Sequence, residues 1–151
     1  MQYLGNKEIV KEYKVGFLCS RKIPSDIILK TYDWAIAKRE AGKCVVSGFH
    51  SKIERDVLHY LLKGTQPVIM VLARSLYKRW SDEISQALSS NRLLIITPFS
   101  EKVKRASLST CIKRNKLIIS LSDELYIPYM SDTSSLRKLV SHFQKNNIPT
   151  F

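Results

Sequence analysis

The sequence predicts an α/β fold: a Rossmann-like three-layer sandwich, with a mostly parallel sheet of about six strands and helices on both faces. Three observations carry this. Short apolar runs such as residues 67–73 and 93–97 do not alternate polar with apolar, as strands buried on both faces require. The segments between them carry apolar residues at helical spacing. Glycine, proline and serine punctuate the junctions.

Taken in order, residues 15–19 form the first apolar run. Ser25, after Pro24, is placed to cap a helix with Ile28, Tyr32 and Ala35 on one face and Gly42 at its end. Residues 44–47 form a second strand closed by Gly48. Ser51 and Glu54 make a capping-box pair ahead of Ile53, Val57 and Leu61, and Gly64 stops that helix. Residues 67–73 are the third strand, residues 81–88 a short helix, and residues 93–97 the fourth strand, ended by Pro98. Ser100 is read as the cap of a helix running to Leu121, with Cys111, Ile112, Ile118 and Ile119 on one stripe. Residues 125–128 give another strand and residues 133–146 a helix through Leu136, Val140 and Phe143. Residues 149–151 begin a last edge strand. No repeat or long linker divides residues 1–151, so one domain is expected.

Charge narrows the function. The 151 residues hold 25 Lys+Arg against 13 Asp+Glu, a formal charge of +12. Such an excess favours a polyanionic partner, because cationic side chains release counterions from phosphates. The 3 cysteines are dispersed, with no zinc spacing, and read as core thiols of a reducing cytosol. No apolar run approaches a membrane span, and residues 1–6 do not resemble a signal peptide. A cytoplasmic protein without membrane contact, metal or cofactor is expected. No GxSxG, P-loop, HExxH or GxGxxG motif is present, so no catalytic set is assigned.

In a parallel sheet, ligands sit beyond the carboxyl ends of the strands, which directs attention to the loops there. The first carries Ser20, Arg21 and Lys22, a phosphate seat or simply solvated surface. The second carries Ser47, Gly48, Phe49, His50, Ser51 and Lys52. Gly48 permits close backbone approach or a positive φ; His50 is a ligand contact or an exposed loop histidine. Asn115 falls on the apolar stripe of the long helix and must find polar partners there. Arg114 and Lys113 point away from that stripe, in a basic cluster with Lys104, Arg105 and Lys116. Before the last helix, Asp132, Thr133, Ser134 and Ser135 form either an anion nest or an ordinary N-cap.

In order, these pieces resemble the DprA/Smf DNA-processing family, within the wider SLOG/LOG superfamily. Tyr3-Leu4-Gly5-Asn6 is similar to the segment leading into that family's first strand. Val15 to Lys22 resembles its strand ending in Gly-Ser-Arg, and Val45-Val46-Ser47-Gly48 its Val-Val-Ser-Gly. Arg114-Asn115-Lys116-Leu117-Ile118 is similar to its Arg-Asn-Arg-Ile-Ile, and Thr133 to Leu136 falls at its Gly-Ser-rich turn. The resemblance implies an extended Rossmann fold, often a homodimer, that binds single-stranded DNA in a basic pocket at the strand ends. Ser20, Arg21, Ser47, Gly48, Arg114, Asn115, Ser134 and Ser135 would line it. Phe49, Tyr77 and Trp80 are candidates to stack bases or to pack in the core. Cys19 stands where the family has glycine, and the turn at residues 133–135 has lost its glycines.

Two functions from different classes follow. One is a binding module for single-stranded nucleic acid. The other is a nucleotide-ligand sensor or hydrolase resembling the LOG phosphoribohydrolases, whose Pro-Gly-Gly-x-Gly-Thr-x-x-Glu turn corresponds to residues 131–138. Here the glycines are missing and Lys138 stands near the glutamate position, which argues against that hydrolysis. A scaffold whose pocket has decayed is the third reading.

Overall fold

A computed structural model describes residues 1–131 and 135–142. Its elements are β1 (Gln2–Gly5), a 3-10 turn (Lys7–Lys11), β2 (Lys14–Phe17), α1 (Ser25–Glu40), β3 (Cys44–Ser47), α2 (Lys52–Leu62), β4 (Val68–Val71), α3 (Asp82–Ser89), β5 (Leu93–Thr97), α4 (Leu108–Leu121), β6 (Glu124–Tyr126) and α5 (Ser135–His142). One six-stranded sheet runs in the order β1-β5-β4-β3-β2-β6. All pairings are parallel except β1 with β5, where Tyr3 lies opposite Ile96. From β2 the chain winds outward to β5, then returns through α4 to place β6 on the other side of β2. The strand order therefore reverses between β2 and β6, and the crevice for a ligand opens there.

The buried strands explain the lack of alternation, because each faces two cores. One contains Val46, Ile69, Ile96 and Leu125 under Ile118 and Ile119 of α4 and Leu136 and Val140 of α5. The other contains Val15, Val45, Val68 and Ile95 under Ala35 of α1, Val57 and Leu61 of α2, and Ile84 of α3. On that side Trp34 stacks on Tyr126 at 4.2 Å and on Phe17 at 5.4 Å. Ring pairs of this kind add about 0.5–1.5 kcal/mol beyond the area they bury. Among the described residues no helix is long and apolar enough to cross a membrane.

Several expectations need correction. Among the described residues the sixth strand is β1; the edge strand expected at residues 149–151 and residues 143–146 of the expected last helix lie outside the described residues. Tyr3-Leu4-Gly5-Asn6 reads as a lead-in because so short a segment with alternating exposure carries little signal; pairing with β5 makes Gln2–Gly5 a strand. Pro24, not Ser25, occupies the cap position of α1, and no side chain caps that end. The last long helix starts at Leu108, not near Ser100. Ser107 and Thr110 form the capping box: Thr110 N–H donates to Ser107 Oγ at 3.2 Å and Ser107 N–H to Thr110 Oγ1 at 2.7 Å. That reciprocal pair satisfies two orphan donors, whereas Ser100 Oγ accepts only from Lys102 N–H, at 3.4 Å, in the preceding turn.

At Gly16 in β2, a Cβ would stand 2.2 Å from Ser122 Oγ and 2.7 Å from a Leu125 methyl. The end of α4 thus packs directly on strand backbone. Gly16→Ala is expected to destabilise the fold by about 1–3 kcal/mol through overpacking. Urea unfolding measures this, and Ser122→Ala in the same chain is expected to recover part of the loss.

Candidate anion-binding crevice

The crevice at the β2/β6 reversal is a cavity of about 760 Å³. Its walls come from the loop after β2 (Ser20, Arg21, Lys22), the turn after β3 (His50, Ser51, Glu54), the start of α4 (Ser107, Cys111, Arg114, Asn115) and Ser131 after β6. Six expected residues thus meet in one place: Ser20, Arg21, Lys22, His50, Arg114 and Asn115.

Ser20 joins the two sides of the crevice. It is 8% exposed, and its Oγ accepts from the Ser131 N–H at 3.0 Å while its own N–H donates to the Tyr129 carbonyl at 3.1 Å. Loops 111 residues apart are held together by these two bonds. Cys19, behind Ser20, is half-buried; burial, reinforced by nearby Glu54, pushes its thiol up to about 12, so it is a neutral wall. Arg21 and Lys22 are exposed at the rim.

Arg114 departs from its expected position. It does not point away with Lys113; it is 6% exposed, on the buried face of α4 with Ile118 and Ile119. Positions four apart share a face, so Arg114 follows Ile118 inward. It fits because Gly48 has no side chain: a Cβ there would lie 2.8–2.9 Å from the guanidinium and Cδ of Arg114. Close approach, not a positive φ, is what Gly48 provides; the positive φ of 49° belongs to Phe49. Arg114 Nε donates to Asn115 Oδ1 at 3.2 Å. Its Nη1 is buried with no hydrogen-bond partner among the described residues, and none of the ion pairs there includes it. Asn115, half-buried, finds its polar partner in Arg114 itself.

Glu54 turns inward at 6% exposure and accepts from the N–H groups of His50 and Ser51 at 2.8 and 3.1 Å. Ser51 and Glu54 thus face each other in the expected capping box at the start of α2, with Glu54 making its hydrogen bonds. His50 is exposed at the rim. Partial burial of its ring, then the charge of Arg114, holds it below the usual imidazole value, with Arg21 and Arg55 acting the same way and Glu54 opposing.

Other expected residues sit elsewhere. Ser47 is fully buried at the end of β3, its Oγ accepting from Phe49 N–H at 3.4 Å, and it lines neither cavity. Lys52 points outward to Asp56 at 3.1 Å. Phe49 is 5% exposed and belongs to the core, not to a stacking platform. Thr133 and Ser134 lie outside the described residues, and Ser135 opens α5. The sequence reading missed Ser107, Cys111 and the inward Glu54 as walls; the Ser107/Thr110 box was the available signal for the first two. Among the described residues no group of His, Cys, Asp or Glu is placed to hold a metal.

A mostly parallel sheet with a crevice at its reversal point, lined by Arg21, Lys22 and Arg114, is a Rossmann-type architecture. The family model for DNA recombination-mediator protein A matches residues 1–136, and the chain belongs to that family. Its fold is similar to that of DNA processing protein A from Helicobacter pylori, a protein described with a single-stranded DNA binding mode. That match has a TM-score of 0.77 at 22% identity and covers 99% of this chain and 69% of that one. DNA processing protein A from Streptococcus pneumoniae matches at 0.71 and 18% identity, over 92% of this chain and half (50%) of that one. The molybdenum cofactor binding protein of Rippkaea orientalis shares the fold at 0.60 and 11% identity, over 87% of this chain and 69% of that one. No curated protein sequence matches.

A buried arginine without a counter-charge is costly to the free fold. Arg114→Met is therefore expected to raise stability by about 1 kcal/mol or more in thermal unfolding, while removing anion affinity. A purely structural arginine would give the opposite stability change.

Proposed function

We propose that this chain binds single-stranded DNA in the crevice between the ends of β2 and β6, with Arg114 as the inner cation and Arg21, Lys22 and His50 as the rim. The observation that carries this reading is the buried Nη1 of Arg114, a donor without a hydrogen-bond partner among the described residues. A phosphate supplies the missing counter-charge and acceptors for a donor that otherwise has none. Family membership and the formal charge of +12 point the same way. Ser20 ties the two walls of the crevice together, and Gly48 leaves the room that lets the Arg114 side chain reach it. The role is one of binding, within one domain.

Binding of a mononucleotide alone is the competing reading, because a cavity of about 760 Å³ also suits a small ligand. Fluorescence anisotropy with labelled oligothymidylates, beside a thermal-shift series with mononucleotides, separates the two. Single-stranded DNA binding is expected to weaken with salt at a logarithmic slope near −2, from roughly three phosphates neutralised at about 0.7 each. Arg21→Ala and Arg114→Met are expected to weaken all sequences alike. A thermal shift with mononucleotides and no oligonucleotide binding at low salt would overturn the DNA reading.

The depressed pKa of His50 sets the pH dependence. The free ring is neutral at pH 7, and a bound phosphate favours its protonated form. Affinity is thus expected to rise as pH falls toward and through the depressed value, with proton uptake on binding. Titration calorimetry in buffers of different ionisation enthalpy measures the uptake, and His50→Ala is expected to remove it.

A further inference from the structure

A second cavity, of about 480 Å³, lies beside the crevice, and His50 and Arg114 are walls of both. It opens between the end of β4, the start of α3 and the turn after β3. Its floor is apolar, from Met70, Leu72 and Ile84, and arginines 55, 74 and 79 surround it. Two aromatic rings stand in it. Tyr77 is 43% exposed, and Trp80 is half-buried and edge-on to it, with centroids 5.4 Å apart at 83°. The Arg74 guanidinium lies 3.9 Å over the Tyr77 ring.

The loop presenting these rings is fixed before any ligand arrives. The Arg74 carbonyl accepts from Thr97 Oγ1 at 2.6 Å, Ser75 N–H donates to the Val103 carbonyl at 2.8 Å, and Arg74 Nε donates to the Ser75 carbonyl at 2.9 Å. The acid at the mouth, Glu83, faces His59 Nδ1 at 3.2 Å. An exposed tyrosine beside a half-buried tryptophan, over an apolar floor and among arginines, matches one chemistry well. It offers a face to a planar heterocycle and cations to the phosphate attached to it.

We infer that the second cavity is a base-stacking seat for a further nucleotide of the strand held in the crevice, with the base against Tyr77 and Trp80 and its phosphate met by Arg74 and Arg79. The inference rests on the crevice binding single-stranded DNA. The shared wall supplies the path: a strand leaving Arg114 and His50 on one side enters the second cavity on the other. The occupant is therefore the same polymer, not an independent small molecule.

Tryptophan fluorescence tests this directly. Trp34 is half-buried, stacked on Phe17 and Tyr126, and lines neither cavity, so a ligand-dependent signal that Trp80→Phe removes reports Trp80. A long oligothymidylate, on the scale of roughly 12 nucleotides, is expected to quench Trp80, and the dinucleotide dTdT is not. Tyr77→Ala, with its fold checked by the thermal melt, is expected to weaken the long strand roughly 5- to 100-fold and leave dTdT affinity as it was. Trp80→Phe is expected to keep affinity and abolish the quench. The seat is overturned if Tyr77→Ala binds the long strand as wild type does, or weakens both probes equally. It is equally overturned if a free mononucleotide quenches Trp80 as well as the strand does. If the unaltered protein binds neither probe at low salt, the crevice reading fails and this seat fails with it; a bound long strand without quenching removes the seat alone.

Discussion

The close packing of the Arg114 side chain over the bare backbone of Gly48 is the contact around which the crevice is arranged. A guanidinium that stays charged at any ordinary pH has been carried below the surface and left without a carboxylate among the described residues. That costs the free protein stability, and a fold keeps such a cost where it is useful. Glu54 shows the contrast. It is as deeply buried, but two backbone N–H groups satisfy it, so its charge is spent internally. The crevice therefore holds one acid satisfied by the backbone and one arginine whose Nη1 keeps a buried donor to spare.

The sheet turns these local contacts into a site. Because β2 and β6 are parallel neighbours reached by opposite windings, the loops that follow them diverge, and Ser20 ties them back together through Tyr129 and Ser131. Without that tie the arginine would lie in an open cleft of variable width. With it, the polar groups are preorganised, and less ordering is left to be done on binding.

Much of this was legible in the residues. Unbroken apolar runs at residues 67–73 and 93–97 announce strands covered on both faces, and several of the loops beyond the strand ends line one crevice. Ser20, Arg21, His50 and Arg114 were identified, and they converge. What could not be read was direction. Lys113, Arg114 and Asn115 are adjacent in sequence, and helical spacing alone favoured Asn115 as the inward residue. Tertiary contact decided otherwise, because only at Arg114 does a neighbouring strand end present a glycine. Ser47 looked like a phosphate ligand in a Val-Val-Ser-Gly run, yet its position one residue before the turn buries it completely. The start of α4 was misplaced because Ser100 and Ser107 are both plausible caps, and only Ser107 has a reciprocal partner in Thr110.

The antiparallel strand β1 has a consequence for how the molecule is made. Its partner β5 lies far along the chain, with Gln2 opposite Thr97 and Gly5 opposite Leu94. On the ribosome, residues 2–5 must therefore wait while four parallel strands are synthesised, and their pairing closes a loop exceeded in this sheet only by that between β2 and β6. Contacts of such long sequence separation form slowly. Until then the outer border of β5 is bare, with its ladder groups unpaired and open to association with another chain. The nascent protein is thus most vulnerable at the border farthest from the crevice, and β1 serves it as a late-arriving seal.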